Sequence, residues 1–281
     1  MYAITGITGR VGGAVARALL EAGQPVRAVL RDPAKAAAWT ARGCEVAVAA
    51  LDDAEALTRA FTGATGVFIL PPPVFDPKPG FPEAMAVVAA VRAALEAARP
   101  ERVVWLSTVG AQAHEPNLLS QHGLMEGALA DLPLPLTILR PAWFLENAEW
   151  DVATARDEGV VRGFLQPLDR AIPMVATADI GRVGADLLQA PWTGRRIVEL
   201  EGPRAVSPDD IAAAFSRVLG RPVRAEAVPR ETWGGLFRAQ GMVDPGPRIQ
   251  MLDGFNEGWL TFEGETTKGE VELEAVLRGL V

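Results

Sequence analysis

The chain has 281 residues, 49% of them hydrophobic, and its 27 Lys+Arg against 35 Asp+Glu leave a formal net charge of −8. A chain this long buries roughly 75% of its unfolded surface, so no disulfide or structural metal is needed to hold it, and an acidic balance without a basic run argues against nucleic acid as a partner. Cys44 is the single cysteine, His114 and His122 the histidines, Tyr2 the tyrosine, and Lys35, Lys78 and Lys268 the lysines. This inventory excludes an internal disulfide and a multi-histidine or cysteine-rich zinc site, and with no metal expected it points to a reducing, cytoplasmic setting. No apolar stretch approaches a membrane span and no basic segment followed by an apolar run opens the chain, so neither a membrane partner nor a leader is expected.

Short β-rich runs alternate with alanine-rich helical stretches through the first half. In chain order the pattern predicts a strand at 2–5, a helix at 10–22, a strand at 26–30, a helix at 33–41, a strand at 45–48, a helix at 54–61 and a strand at 66–70. A proline-rich loop at 71–82 leads to a helix at 82–98, a strand at 102–107, a helix at 117–130 and a strand at 136–140. Such alternation builds a parallel sheet covered by helices on both faces. Beyond Arg140-Pro141 the regularity fades into a helical segment at 144–158, a return strand near 196–200 and a smaller, irregular part. Ser207-Pro208-Asp209-Asp210 opens one clear helix there, with a serine cap, a proline in the first turn and acids at the positive end of the dipole. The expected division is 1–155 for the larger domain and 156–281 for the smaller. The aromatic residues Trp143, Phe144, Trp150, Phe164, Trp233, Phe237, Phe255 and Trp259 either line a pocket between the two or make the core of the smaller.

Gly6-Ile7-Thr8-Gly9-Arg10-Val11-Gly12 lies between the first strand and the first helix. There Gly6 permits a tight turn, Gly9 lets backbone N–H groups approach a pyrophosphate, and Gly12 lets the helix pack close to the strand. The second strand ends at Arg31, where a cation meets a ribose 2′-phosphate; with Arg10 and Lys35 as candidate helpers, it favours NADP(H) over NAD(H). Asp32-Pro33 reads as a helix cap. Asp52, after the third strand, either meets the adenine amine or caps the next helix. Thr8, Arg10 and Val11 in the loop, with Leu70 and Ser107 at the ends of the fourth and fifth strands, complete the cofactor-binding positions. No Gly-x-Ser-x-Gly surrounds Ser107 or Thr108, which excludes a serine hydrolase of that type.

These features, with Val104-Trp105-Leu106-Ser107-Thr108 and above all Thr137-Ile138-Leu139-Arg140-Pro141-Ala142-Trp143-Phe144-Leu145-Glu146-Asn147, resemble the NmrA-like group of the atypical short-chain dehydrogenase/reductases. The resemblance implies an α/β, Rossmann-type doubly wound parallel sheet that binds NAD(P), a smaller C-terminal α+β substrate domain and a pocket between them. Typical members of the wider superfamily carry a Tyr-x-x-x-Lys pair with a glutamate four residues after the lysine. Aligned on Glu126, this sequence has Leu118 and His122 in those places, so ketone chemistry by the Tyr/Lys route is disfavoured. His122 is the catalytic candidate and a contact for the nicotinamide ribose or substrate, with Glu126 four residues on to hold its imidazole; the alternative is a surface histidine with a helical partner. The implied function is an NADPH-dependent reductase acting on a small molecule such as a quinone, which needs no protein acid at hydride transfer. The alternative is a non-catalytic NADP sensor. Substrate identity and oligomeric state are not legible.

Overall fold

Strands rich in valine, isoleucine and leucine on both faces must be covered on both sides, and this requirement organises the first half of the molecule. The computed structural model describes residues 1–281. In chain order it builds β1 (Tyr2–Ile4), α1 (Arg10–Glu21), β2 (Val26–Leu30), α2 (Ala36–Thr40), β3 (Glu45–Val48), α3 (Ala54–Phe61), β4 (Gly66–Ile69), α4 (Pro82–Ala98), β5 (Arg102–Leu106), α5 (Ser120–Ala128) and β6 (Leu136–Pro141). There follow β7 (Trp143–Phe144), α6 (Val152–Asp157), β8 (Val160–Gly163), β9 (Ile172–Val175), α7 (Thr177–Gln189), β10 (Arg195–Glu201), β11 (Ala205–Val206), α8 (Pro208–Leu219), β12 (Arg224–Ala227), α9 (Trp233–Ala239), α10 (Gly246–Glu257), β13 (Thr266–Lys268) and α11 (Leu273–Arg278).

Eight strands form one parallel sheet in the order β13-β10-β6-β5-β4-β1-β2-β3. Alternate residues serve opposite faces: Ile4, Phe68 and Val104 pack with Val15 and Leu19 of α1, whereas Ala3, Val67 and Trp105 pack with Phe61 of α3 and Val91 of α4. The chain runs outward from β1 to β3, then returns to β4 and proceeds the other way. The crevice between β1 and β4 is therefore the switch point, where open α/β sheets bind ligands. A separate core of Val161, Met174, Phe215, Trp233, Phe237 and Phe255 holds the C-terminal part, which carries the small sheets β11-β9-β7 and β12-β8. Ser207 and Asp210 cap α8 reciprocally. No helix is long and apolar enough to cross a membrane.

Departures from the expected elements have local causes. Thr5, Leu70 and Ser107 lie one residue beyond the strand ends; the Thr5 and Ser107 amides still make inter-strand bonds, to the Phe68 and Leu139 carbonyls, and the Leu70 amide donates to Thr5 Oγ1 at 2.9 Å at the crevice. The helix at 117–130 starts only at Ser120, because the Asn117 side chain turns the chain first by accepting from the Leu119 amide at 2.7 Å. Phe144 belongs to a strand, and 145–151 is a tight helical turn before α6. Two segments beyond residue 155 join the large sheet with β10. One is β13, which extends it past β10; the other is α7, where a Cβ on Gly181 would collide with Ala14 of α1.

Candidate functional site

A cleft of about 1220 Å³ opens at the C-terminal ends of the strands beside the switch point. It brings together Gly6, Thr8, Gly9, Arg10, Val11, Arg31, Asp52, Leu70, Ser107 and His122. Gly12 stands behind this wall. A Cβ there would run into the Gly6 carbonyl, so its role is to let α1 lie against the loop. Gly6 has φ +61°, and a Cβ on it would lie 2.6 Å from the Leu70 side chain. Helix α1 opens at Gly9 with no side-chain cap and no acid in its first turn. Its first amides and the positive end of its dipole are left free for an anion.

The charged groups around this cradle divide by what they already hold. Arg10 pairs with Glu149 at 2.8 Å. Asp32 accepts from the Ala34 amide at 3.0 Å, the expected capping role. Asp53, not Asp52, caps α3 by accepting from the Ala56 amide at 2.9 Å, which leaves the Asp52 carboxylate free in the cleft wall. Arg31 is exposed in that wall and has no ion-pair partner. Lys35 and the exposed His114 lie outside the lining.

At the other end, Ser107 Oγ donates to Glu126 Oε1 at 2.5 Å. Glu126 accepts a two-pronged contact from Arg140, Nε to Oε1 at 2.9 Å and Nη2 to Oε2 at 2.7 Å. Arg140 Nη1 reaches Glu263 at 2.5 Å and Glu199 at 3.6 Å. Burial alone would lower the Arg140 guanidinium, but the hydrogen bonds to Glu126 and Glu263 outweigh it and hold it above its ordinary range. This network corrects the expected His122–Glu126 pair: the arginine fork takes both carboxylate oxygens, and the imidazole has no hydrogen bond. His122 keeps an open edge on the cleft while Nδ1 is enclosed without a partner. Burial pushes the imidazole down to about 4, against a weaker upward pull from the Glu126 charge, so it is neutral at neutral pH.

Leu118, in the tyrosine's place, is buried in the C-terminal core, and Tyr2 is buried in β1 outside the cleft. Among the contributors that escaped the sequence reading of site residues are four polar ones from distant segments. Lys78 reaches the wall from the proline-rich loop, 3.4 Å from Glu83. Asn147 and Glu146 line the cleft from the stretch 137–147; the Glu146 carboxylate caps α7 by accepting from the Thr177 amide at 2.9 Å and its hydroxyl at 2.5 Å. Thr177 itself is the fourth. Of the aromatic residues, Phe144 and Trp150 line the cleft, while Trp143 meets Phe255 edge to face at 5.3 Å within the C-terminal core.

Sheet order, switch point and glycine loop together define a Rossmann-type doubly wound α/β fold. The chain belongs to the NmrA-like family, whose sequence pattern matches residues 2–249. It is 29% identical over 259 residues to the NAD(P)H azoreductase of Xenophilus azovorans, covering 92% of this chain and 85% of that one. It is 26% identical over 246 residues to quinone oxidoreductase 2 of Escherichia coli, covering 87% and 83%. The crystal structure of an NADPH-dependent quinone oxidoreductase from Escherichia coli in complex with NADPH superposes with a TM-score of 0.82 at 25% identity, over 100% of this chain and 99% of the other.

Proposed function

We propose that the chain is an NADPH-dependent oxidoreductase that reduces a quinone or a similar electron-poor acceptor by direct hydride transfer, without a Tyr/Lys pair. The carrying observation is that one cleft holds an uncapped glycine-loop helix, an unpaired Arg31 and the Ser107–His122 corner, and has no tyrosine in its wall. The names of the azoreductase and the quinone oxidoreductase among the relatives support the same chemistry.

In this reading the free amides of Arg10 and Val11 face the pyrophosphate, while the Gly9 amide donates to the Gly6 carbonyl at 2.9 Å and holds the turn; Arg31 meets the 2′-phosphate and Asp52 the adenine amine. Ser107 spends its proton on Glu126, so the oxygen it turns to the cleft is an acceptor for the carboxamide of the nicotinamide half. His122, neutral and unpartnered, orients ribose or substrate. The bound cofactor supplies the hydride. The chain's own work is to align two rings and exclude water, and a quinone's delocalised anion takes its proton from solvent. Mixing the protein with NADPH and a panel of quinones, and following the absorbance of the reduced nicotinamide, tests this. Stoichiometric oxidation is expected; tight NADPH binding without oxidation across the panel would replace this reading with that of a sensor.

A further inference from the structure

A second cavity of about 1100 Å³ lies against the first, and Trp150 is a wall of both. Its rim carries large apolar side chains left in solvent: Trp150 (62% exposed), Phe75 (52%) and Leu236 (41%). Scattered singly such residues are ordinary, but gathered around one opening they mark a binding surface.

The charges lining this cavity are engaged, with one exception. Asp76 accepts from the amides of Val243 at 2.7 Å and Asp244 at 3.0 Å. Glu226 pairs with Arg224, and Arg162 with Glu158 at 2.5 Å. Asp151 accepts from the Arg162 amide at 3.3 Å, and burial pushes its carboxyl up to about 6. Arg248 has no carboxylate partner. Its guanidinium lies 4.2 Å from the Phe237 ring centroid, and its nearest acceptors are neutral and distant, Gln240 Oε1 at 3.5 Å and Met242 Sδ at 4.0 Å. It also stands in the first turn of α10, where the helix dipole repels a cation. Burial lowers its pKa, the mark of a charge short of solvent and of a counter-ion. Of the guanidinium groups lining the two cavities, Arg10 and Arg162 are held in ion pairs; Arg31 and Arg248 are free.

We infer that the second cavity is an acceptor subsite for a planar, carboxylate-bearing molecule: the carboxylate sits on Arg248, the apolar arm runs between Trp150 and Phe164, and the reducible ring lies on the first-cleft side of Trp150. A guanidinium fork matches a carboxylate in shape and charge, and an aromatic wall matches a flat arm. The placement of the reducible ring rests on the reductase reading above; the carboxylate site does not.

Calorimetric titration of the full-length protein with naphthoate and with neutral naphthol tests the site without turnover. Wild type should bind naphthoate about 10- to 100-fold more tightly. Arg248→Gln should abolish that preference while binding naphthol as before, and Arg248→Lys should restore part of it and decides the matter if the glutamine variant fails to fold. Equal affinities in wild type, or a preference that survives Arg248→Gln and vanishes in Arg31→Ala, would overturn the inference, the latter by putting the anion in the first cleft. Quinone turnover in the same preparations separates the two readings. An Arg248-dependent preference without turnover leaves the carboxylate site standing and removes the reductase, whereas turnover without the preference does the reverse.

Discussion

At one end of the main cleft the wall is backbone: Gly6, Gly9 and the uncapped first turn of α1, with Arg31 and Asp52 at the ends of neighbouring strands, all within the first 52 residues. At the other end it is side chains gathered from distant segments. His122 comes from α5, Phe144 from β7, and Asn147 and Trp150 from a turn that Glu146 ties to Thr177 across 31 residues. A backbone cradle has one shape and admits one kind of group, so in the proposed function the first end fixes the cofactor. The second is fixed only by tertiary ties such as the Ser107–Glu126–Arg140 chain, and its shape changes with any side chain in it. The proposed function therefore makes cofactor choice and acceptor choice separable in this fold.

The most severe test of that separation is a side chain in the cradle. Gly9 has an extended backbone that valine tolerates, and a Cβ there meets only the Gly6 carbonyl at 3.3 Å. Gly9→Val should lower NADPH affinity by more than about 100-fold in calorimetry while circular dichroism stays unchanged. Gly12→Val should also lose binding, but with a lower melting temperature, because its side chain must displace α1 from the loop. A smaller effect is expected from Arg31→Ala: NADPH affinity falls about 10- to 100-fold, NADH affinity holds, and naphthoate binding in the second cavity is untouched.

Proton linkage sharpens the contrast between the two cavities, since each holds a half-buried titratable group of opposite sign. The folded-state pKa of His122 is depressed to about 4 from 6.5, so its contribution to stability is complete above the unfolded value and is lost as pH falls toward 4. Asp151 is raised to about 6 from 3.8, so its contribution is complete at low pH and is lost as pH rises through 6. In urea melts His122→Gln should gain on wild type near about pH 5, and Asp151→Asn should gain on wild type near about pH 8. The gain of His122→Gln should grow as pH falls and that of Asp151→Asn as pH rises; gains that change with pH in the same direction would show that one of the two burials is misassigned.

The sheet was legible because strands covered on both faces are continuous apolar runs, and the cradle because its glycines sit where a β-to-α turn demands them. What stayed hidden depends on distance in sequence. Helix α7 buries Gly181, Gly184 and Ala185 against its neighbours, small residues that leave a weak apolar rhythm, and β13 is a three-residue edge strand with two exposed positions. Glu126 stands at the right spacing from His122, yet Arg140, 14 residues further on, takes its carboxylate. Asp52 and Asp53 are adjacent acids, and only the fold decides which one caps α3. Trp150 and Asn147 enter the cleft because of the tight turn at 145–151, which no local pattern announces.

The central claim, a reductase that needs no protein proton donor, is tested most directly by steady-state kinetics with NADPH on one quinone and one simple ketone, for wild type and His122→Ala. The account predicts efficient quinone reduction, poor ketone reduction, and a loss of about 10-fold in the variant, because a neutral, unpartnered imidazole positions ribose or substrate and donates no proton. Efficient ketone reduction that falls by about 10²–10⁴-fold in His122→Ala would contradict it, since the histidine would then be doing the work of the missing tyrosine.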